Sequence, residues 1–119
     1  MPASIPLSYA SRTTGGGNVT AVTFTTVGTS TPAYTFTGTQ LNSVSVAQGN
    51  YIIKVSLIGG TQYNATTGTG YSSVSLTGSS YSACQNWATG NNYTFNANLS
   101  NCTSLNIAIS QLVCSVEPQ

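Results

Sequence analysis

Few side chains in this 119-residue chain are of types that carry out acid–base chemistry. The charged residues are Arg12, Lys54 and Glu117, and the sequence contains neither Asp nor His. General acid–base catalysis normally uses His, Asp, Glu or Lys placed at the reacting atom. These residues cannot form a Ser-His-Asp arrangement or a pair of carboxylates for glycoside hydrolysis. The composition therefore predicts a protein that is not an enzyme.

The same composition argues against several kinds of ligand. Hard cations bind clusters of carboxylates, and a nucleic-acid site needs a basic surface; the chain has one acidic and two basic side chains. No run of about eighteen apolar residues occurs, and residues 1–8 lack the basic and apolar regions of a signal peptide. We therefore predict no cofactor, no nucleic-acid partner, no membrane insertion and no signal peptide.

The three cysteines, Cys84, Cys102 and Cys114, show neither a C-x-x-C spacing nor an accompanying His, so they match no zinc pattern. A disulfide between Cys84 and Cys102 would close a loop of about eighteen residues and stabilise the fold by roughly 3 kcal/mol. The alternative is three buried free thiols that pack as small apolar side chains. The spacing leaves both states open.

Carbohydrate binding is a further hypothesis, with Trp87 as the candidate surface aromatic, because sugar rings pack on aromatic faces. The alternative is that Trp87 fills the core near a loop. A lectin would also use carboxylates to orient the sugar hydroxyls, and these are scarce here. Five Asn-x-Ser/Thr sequons occur, at Asn18, Asn64, Asn92, Asn98 and Asn101. This number is close to chance at this Ser and Thr content, so glycosylation is not indicated.

The strongest strand signal spans residues 51–58. Its odd-numbered residues are apolar and fall on one face, whereas Lys54 lies on the mixed opposite face. Turn residues bracket the segment, with Gly49-Asn50 before it and Gly59-Gly60 after it. Because no acid is available as its partner, we interpret Lys54 as facing solvent or a neighbouring subunit, and the strand as part of the core.

Other short alternating segments, separated by turns, fill residues 18–119. The form Thr-Gly-x-x-Tyr recurs at Thr67, Thr77 and Thr89, at the spacing typical of successive strands in a sandwich or barrel. No helical periodicity extends beyond a turn. The sequence therefore predicts a single-domain, all-β antiparallel sandwich of about eight strands, with jelly-roll-like connectivity.

Residues 1–17 are predicted to form an extended N-terminal arm that ends in a hinge. Pro2 and Pro6 disfavour helix, and the run at residues 15–17 is Gly-Gly-Gly. Ile5, Leu7 and Tyr9 alternate with other residues as in a short strand. One interpretation is a frayed terminus, and the other is an assembly arm that adds a strand to a neighbouring subunit.

The segment at residues 44–57, VSVAQGNYIIKVSL, resembles a hairpin of the TNF/C1q-like jelly roll, in which a strand, a Gly-containing turn and a G-x-Y-x-hydrophobic strand recur. Small jelly rolls of this kind serve as accessory capsid, vertex or fibre-head proteins of large DNA viruses and phages. The resemblance implies a small viral or phage structural protein. The chain departs from the family at residues 105–116, which lack the expected aromatic-rich ending, and so trimerisation in the family's manner is not implied.

The near absence of charge predicts association, because net charge keeps proteins apart; adaptation to acidic surroundings is the alternative explanation. We expect a structural subunit of a virion (a minor capsid, cement or spike protein) whose partners are copies of itself or capsid neighbours. One alternative is a subunit of an extracellular filament or cell-surface layer that donates its N-terminal strand. Another is a carbohydrate-binding adhesin module.

Overall fold

The computed structural model describes residues 3–11, 17–59, 61–64, 69–71, 73–86 and 92–110, and the side chains of residues 3–9, 20–56, 74–85 and 93–108. Eleven strands lie in this part of the chain: β1 Ser4–Ser11, β2 Gly17–Thr26, β3 Tyr34–Phe36, β4 Ser45–Ala47, β5 Asn50–Gly59, β6 Thr61–Asn64, β7 Thr69–Tyr71, β8 Ser73–Gly78, β9 Ser82–Asn86, β10 Asn92–Asn98 and β11 Leu105–Ser110. One 3₁₀ turn, Gly38–Gln40, lies between β3 and β4.

Nine of these strands form two sheets, with the orders β4-β1-β11-β8-β9 and β10-β5-β2-β3, and β6 and β7 pair separately. The all-β sandwich predicted from the sequence is confirmed. The described strand pairs are antiparallel with one exception, the parallel pair of β1 and β11. The alternation of apolar and polar residues could not predict this pair, because it shows which residues face inward but not which strands lie side by side.

The core lies between the two sheets and follows the alternation of each strand. The four-stranded sheet contributes Val22, Phe24, Tyr51, Ile53, Val55, Tyr93, Phe95 and Ala97, and the five-stranded sheet contributes Ile5, Leu7, Val46, Val74, Leu76, Leu105 and Ile107. The predicted central strand is confirmed as β5, which pairs with β2 on one side and β10 on the other. Lys54 lies on its outer face, as predicted.

The N-terminal segment is extended, as predicted, but it does not lie free of the domain. Residues 4–11 form β1 in the interior of the chain's own five-stranded sheet. The side chain of Ile5 is 0% exposed and that of Leu7 is 5% exposed, so the frayed-terminus interpretation is wrong for these residues. Apolar side chains that alternate in an extended segment can be buried this way once a sheet offers partners on both sides. Of the predicted hinge, Gly15 and Gly16 lie outside the described residues.

Candidate functional site

The candidate site is the β1 groove, which we define as the space between β4 and β11 that β1 fills. Residues 4–6 pair with β4 in the antiparallel sense, and residues 7–11 pair with β11 in parallel. Beyond β4 itself, the Leu7 N–H donates to the Val44 carbonyl at 3.1 Å, and the Gln48 N–H donates to the Ala3 carbonyl at 2.9 Å. The backbone of β1 is therefore bonded on its β4 side at residues 3–7 and on its β11 side at residues 7–11.

A side-chain amide continues the groove where strand pairing stops. The Tyr9 N–H donates to Oδ1 of Asn42 at 2.8 Å, and Nδ2 of Asn42 donates to the Tyr9 carbonyl at 3.4 Å. The N–H and the C=O of one residue in a strand point to the same side, so one amide satisfies both groups. Sequence reasoning missed Asn42, because an Asn between strands normally indicates a turn and its partner is 33 residues away.

The side chains of β1 divide between the groove and the surface. Ile5 and Leu7 are buried, and Tyr9 is half-buried against the core. All three residues of the predicted assembly arm thus belong to one inward face. On the outer face, the Ser8 hydroxyl donates to Oδ1 of Asn106 on β11 at 2.8 Å. A groove of this kind recognises an extended segment through backbone hydrogen bonds and through pockets for alternate side chains.

Two tyrosine hydroxyls anchor the β4 wall of the groove to the other sheet. The Ala47 N–H donates to the Tyr34 hydroxyl at 3.0 Å, and the Tyr51 hydroxyl donates to the Ala47 carbonyl at 2.6 Å. The rings of Tyr34 and Tyr51 belong to an aromatic cluster with Phe24 and Phe36, in which ring centroids are 5.6–6.3 Å apart. The position of β4 therefore depends on the aromatic cluster as well as on its pairing with β1.

The tyrosines also determine the expected pH dependence of stability. Burial raises the pKa of Tyr51, Tyr81 and Tyr93 above the usual value of 10.0, and the neighbouring Tyr34 adds to the shift at Tyr51. A phenol whose pKa is raised in the folded state makes its full contribution to stability at pH values below the unfolded-state pKa of about 10. This contribution is lost as the pH rises above that value.

We therefore predict that the melting temperature changes little between about pH 3 and pH 8 and falls above about pH 10. The acid side is flat because the sequence has one Glu and neither Asp nor His, so few protons are taken up on unfolding. Thermal unfolding followed by circular dichroism across this range checks both limbs. A large drop in melting temperature by about pH 4 would contradict the prediction.

The free edge of the four-stranded sheet is covered at β10. Nε2 of Gln85 donates to the Thr94 carbonyl at 2.6 Å, and the Tyr81 hydroxyl donates to the Asn96 carbonyl at 3.1 Å. These side chains occupy outward backbone groups that would otherwise pair with another strand. The outer strands at two other sheet edges, β3 and β4, are three residues long. Addition of a strand is therefore disfavoured at these three edges.

Of the two states that the sequence left open, a disulfide between Cys84 and Cys102 or three buried free thiols, neither is found. Cys102 is a free, buried thiol, whereas Cys84 is disulfide-bonded. Sγ of Cys102 donates to the Ser104 carbonyl at 2.9 Å and packs beside Gly78. The thiol is thus held in the core. Cys114, the third cysteine of the sequence, lies outside the described residues.

The remaining candidates form no second site in the described part of the chain. Lys54 is exposed on the outer face of β5, opposite Thr23 and Thr94 in the neighbouring strands, and the described residues contain no acidic side chain. Trp87 lies outside the described residues. Asn98 and Asn101 of the sequons are exposed. Within the described ranges, no group of three His, Cys, Asp or Glu side chains could hold a metal, and no helix is long and apolar enough to cross a membrane.

Comparison with known proteins gives no relative, since no family model, no curated protein and no solved structure matches the chain. The β1 groove, the covered edge at β10 and the outer faces, on which Lys54 is the one charged side chain among the described residues, are therefore the features on which a function can be based.

Proposed function

We propose that this chain is a non-enzymatic structural subunit of a virion, a minor capsid, cement or spike protein, which acts by packing against copies of itself or against capsid neighbours. The observation that carries this proposal is the chemistry of the outer faces. Exposed positions in both sheets are occupied by hydroxyl and amide side chains, among them Ser4, Ser8, Ser45, Thr77, Thr94, Asn96 and Asn98.

A surface of this kind favours contact between subunits. Lys54 is the one charged side chain among the described residues, and the net charge of the chain is +1. Like charges that would hold copies apart in solution are therefore few. Hydroxyl and amide groups can exchange hydrogen bonds with water for hydrogen bonds with a neighbour, as polar groups do in protein interfaces.

A second candidate is a subunit of an extracellular filament or surface layer. Two observations favour it: the N-terminal segment forms a complete interior strand, and Cys84 is disulfide-bonded. Disulfides persist in oxidising surroundings such as the outside of cells and the surfaces of virions. The carbohydrate-binding alternative depends on Trp87, which lies outside the described residues.

The mass of the purified protein in solution tests the proposal. Analytical ultracentrifugation over rising concentration is expected to show species heavier than the 12.2 kDa chain, and negative-stain electron microscopy is expected to show regular closed particles. Association should depend weakly on salt, because few charges are present to be screened. Open filaments would favour the second candidate. A protein that stays monomeric at every concentration up to about 1 mM would contradict both candidate functions. This limit is the effective concentration at which a binding segment on a short flexible linker acts on its own chain.

A further inference from the structure

We propose that β1 is an exchangeable strand, so that residues 4–11 of one copy fill the β1 groove of a second copy and join the two subunits. This inference rests on the proposed function, because it names the partner and the surface through which the subunits of the assembly connect. The occupant of the groove is a second copy of this chain.

β1 lies in the interior of its sheet, between β4 and β11, although it is the first of the described strands. Its departure would expose unpaired backbone groups on two strands at once, and such groups bind any matching strand.

The contacts of β1 join it to parts of the chain that are distant in sequence. It has three register pairs with β4 and five with β11. The hydrogen bonds from the Tyr9 backbone N–H to the Asn42 side chain and from the Ser8 hydroxyl to the Asn106 side chain span 33 and 98 residues. Such contacts are the same whether β1 belongs to the same chain or to another copy. This equivalence is the physical basis of strand swapping between identical subunits.

Both walls of the groove, β4 and β11, also make hydrogen bonds to residues outside β1. Tyr34 and Tyr51 hold Ala47 of β4 by hydrogen bonds to its backbone. β11 pairs with β8 along residues 105–110. Each wall therefore has contacts of its own that do not involve β1 while one β1 leaves and another enters.

Three of the four edges of the two main sheets are covered or short, and the fourth edge, β9, is five residues long. Gln85 and Tyr81 cover the edge at β10, and β3 and β4 are short. Of these positions, the interior groove offers the longest run of backbone partners to a second copy. Natural sheets obstruct their edges in this way to prevent unspecific pairing, and an interior groove then restricts association to one matching segment.

Exchange competes with closure of the chain on itself. The chain's own β1 acts at an effective concentration on the order of 1 mM, so the isolated subunit closes at low concentration and exchange becomes favourable as subunits concentrate. Reciprocal exchange gives a closed dimer, whereas donation in one direction gives an open chain of subunits.

A covalent lock on β1 tests the inference. The double variant Ser8→Cys/Asn106→Cys places two thiols at register partners whose side chains already touch on the outer face, a geometry that suits a disulfide. The oxidised variant is unfolded and refolded at high concentration, and its mass is compared with that of the wild type. We expect it to fold and to lose the assembled species, which reducing agent should restore.

The matched control is a lock that leaves β1 untouched. Thr25→Cys/Ile52→Cys joins register partners of β2 and β5 on the outer face of the other sheet and should leave assembly unchanged. Circular dichroism establishes that each locked variant is folded, and peptide mapping establishes that the disulfide at Cys84 is intact.

A mixing experiment gives a second readout from single substitutions. Chains that carry Ser8→Cys are refolded together with chains that carry Asn106→Cys and then oxidised, and we expect a covalent heterodimer. Thr77→Cys replaces Asn106→Cys in the control, because Thr77 lies one strand farther from β1 on β8 and should give no heterodimer.

The possible outcomes separate the inference from the proposed function. Assembly of the β1-locked variant to the same extent as the wild type would overturn strand exchange and leave the structural role standing. The absence of the heterodimer, with assembly intact, would have the same meaning. A wild type that remains monomeric, together with a mixture of the two single variants that gives no heterodimer, would overturn both.

Discussion

Replacing Phe24 with Ala is expected to lower the free energy of unfolding by about 3–5 kcal/mol. The ring is 0% exposed and meets Tyr34, Phe36 and Tyr51 in edge-to-face contacts, the nearest at a centroid distance of 5.6 Å. The substitution removes apolar surface from the core and leaves a cavity that the rigid strands around it can only partly close. Domains of this size are stable by about 5–15 kcal/mol, so the loss is a large fraction of the total.

Urea unfolding followed by circular dichroism measures this loss as a lower midpoint at an unchanged slope. The matched control is Thr23→Val, which changes the adjacent residue on the outer face of β2 and keeps a β-branched side chain. Its effect should stay within about 0.5 kcal/mol. A loss below about 1 kcal/mol for Phe24→Ala would contradict the position of the ring in the core.

Substitution of Gly78 by Ala is expected to destabilise the fold by about 1–3 kcal/mol through overpacking. A Cβ atom at this position would lie 2.5 Å from Sγ of Cys102 and 2.8 Å from the carbonyl oxygen of Ser104. Both contacts are closer than non-bonded atoms tolerate, and the carbonyl belongs to backbone that leads into β11. Relief of the overlap would therefore shift the end of β8 against β11.

A double-mutant cycle with Cys102→Ala tests the cause of this effect. Removal of Sγ relieves one of the two overlaps, so the double variant should lose less stability than the sum of the single variants, with a coupling of at least about 0.5 kcal/mol. Gly49→Ala is the control glycine, since a Cβ there would meet its nearest neighbours, ring atoms of Tyr51, at an ordinary 3.6 Å. Strictly additive losses for Gly78 and Cys102 would contradict the packing explanation.

The strands and the core were accessible from the sequence because their signal is local. Side chains of an extended chain alternate between two faces, so the apolar residues at positions 51, 53 and 55 indicate a buried face whatever lies opposite. The same reasoning found the inward face of β1 in Ile5 and Leu7. The lack of Asp and His is likewise read from the sequence alone, since it does not depend on the fold.

The contacts that these faces make could not be predicted from the sequence, because they join residues that are far apart in the chain. Ser8 meets Asn106 across 98 residues, and nothing near either residue indicates the other. The amide of Asn42 and the hydroxyls of Tyr34 and Tyr51 act on backbone groups whose positions exist only after both sheets have formed. The pairing of cysteines failed for the same reason, since spacing alone does not show that Cys102 turns into the core beside Gly78.

By itself, the sequence determined an all-β chain with few charged side chains and an N-terminal strand with an apolar face, because composition and period-two alternation can be read without knowing the fold. Only the tertiary structure decided that this strand lies in the interior of a sheet, in parallel with β11 and antiparallel to β4. Strand order is set by how the whole chain closes around one core, which no short segment encodes. The N-terminal segment that was expected to reach another subunit therefore lies in the β1 groove of its own chain. This is the groove that β1 of a second copy would fill.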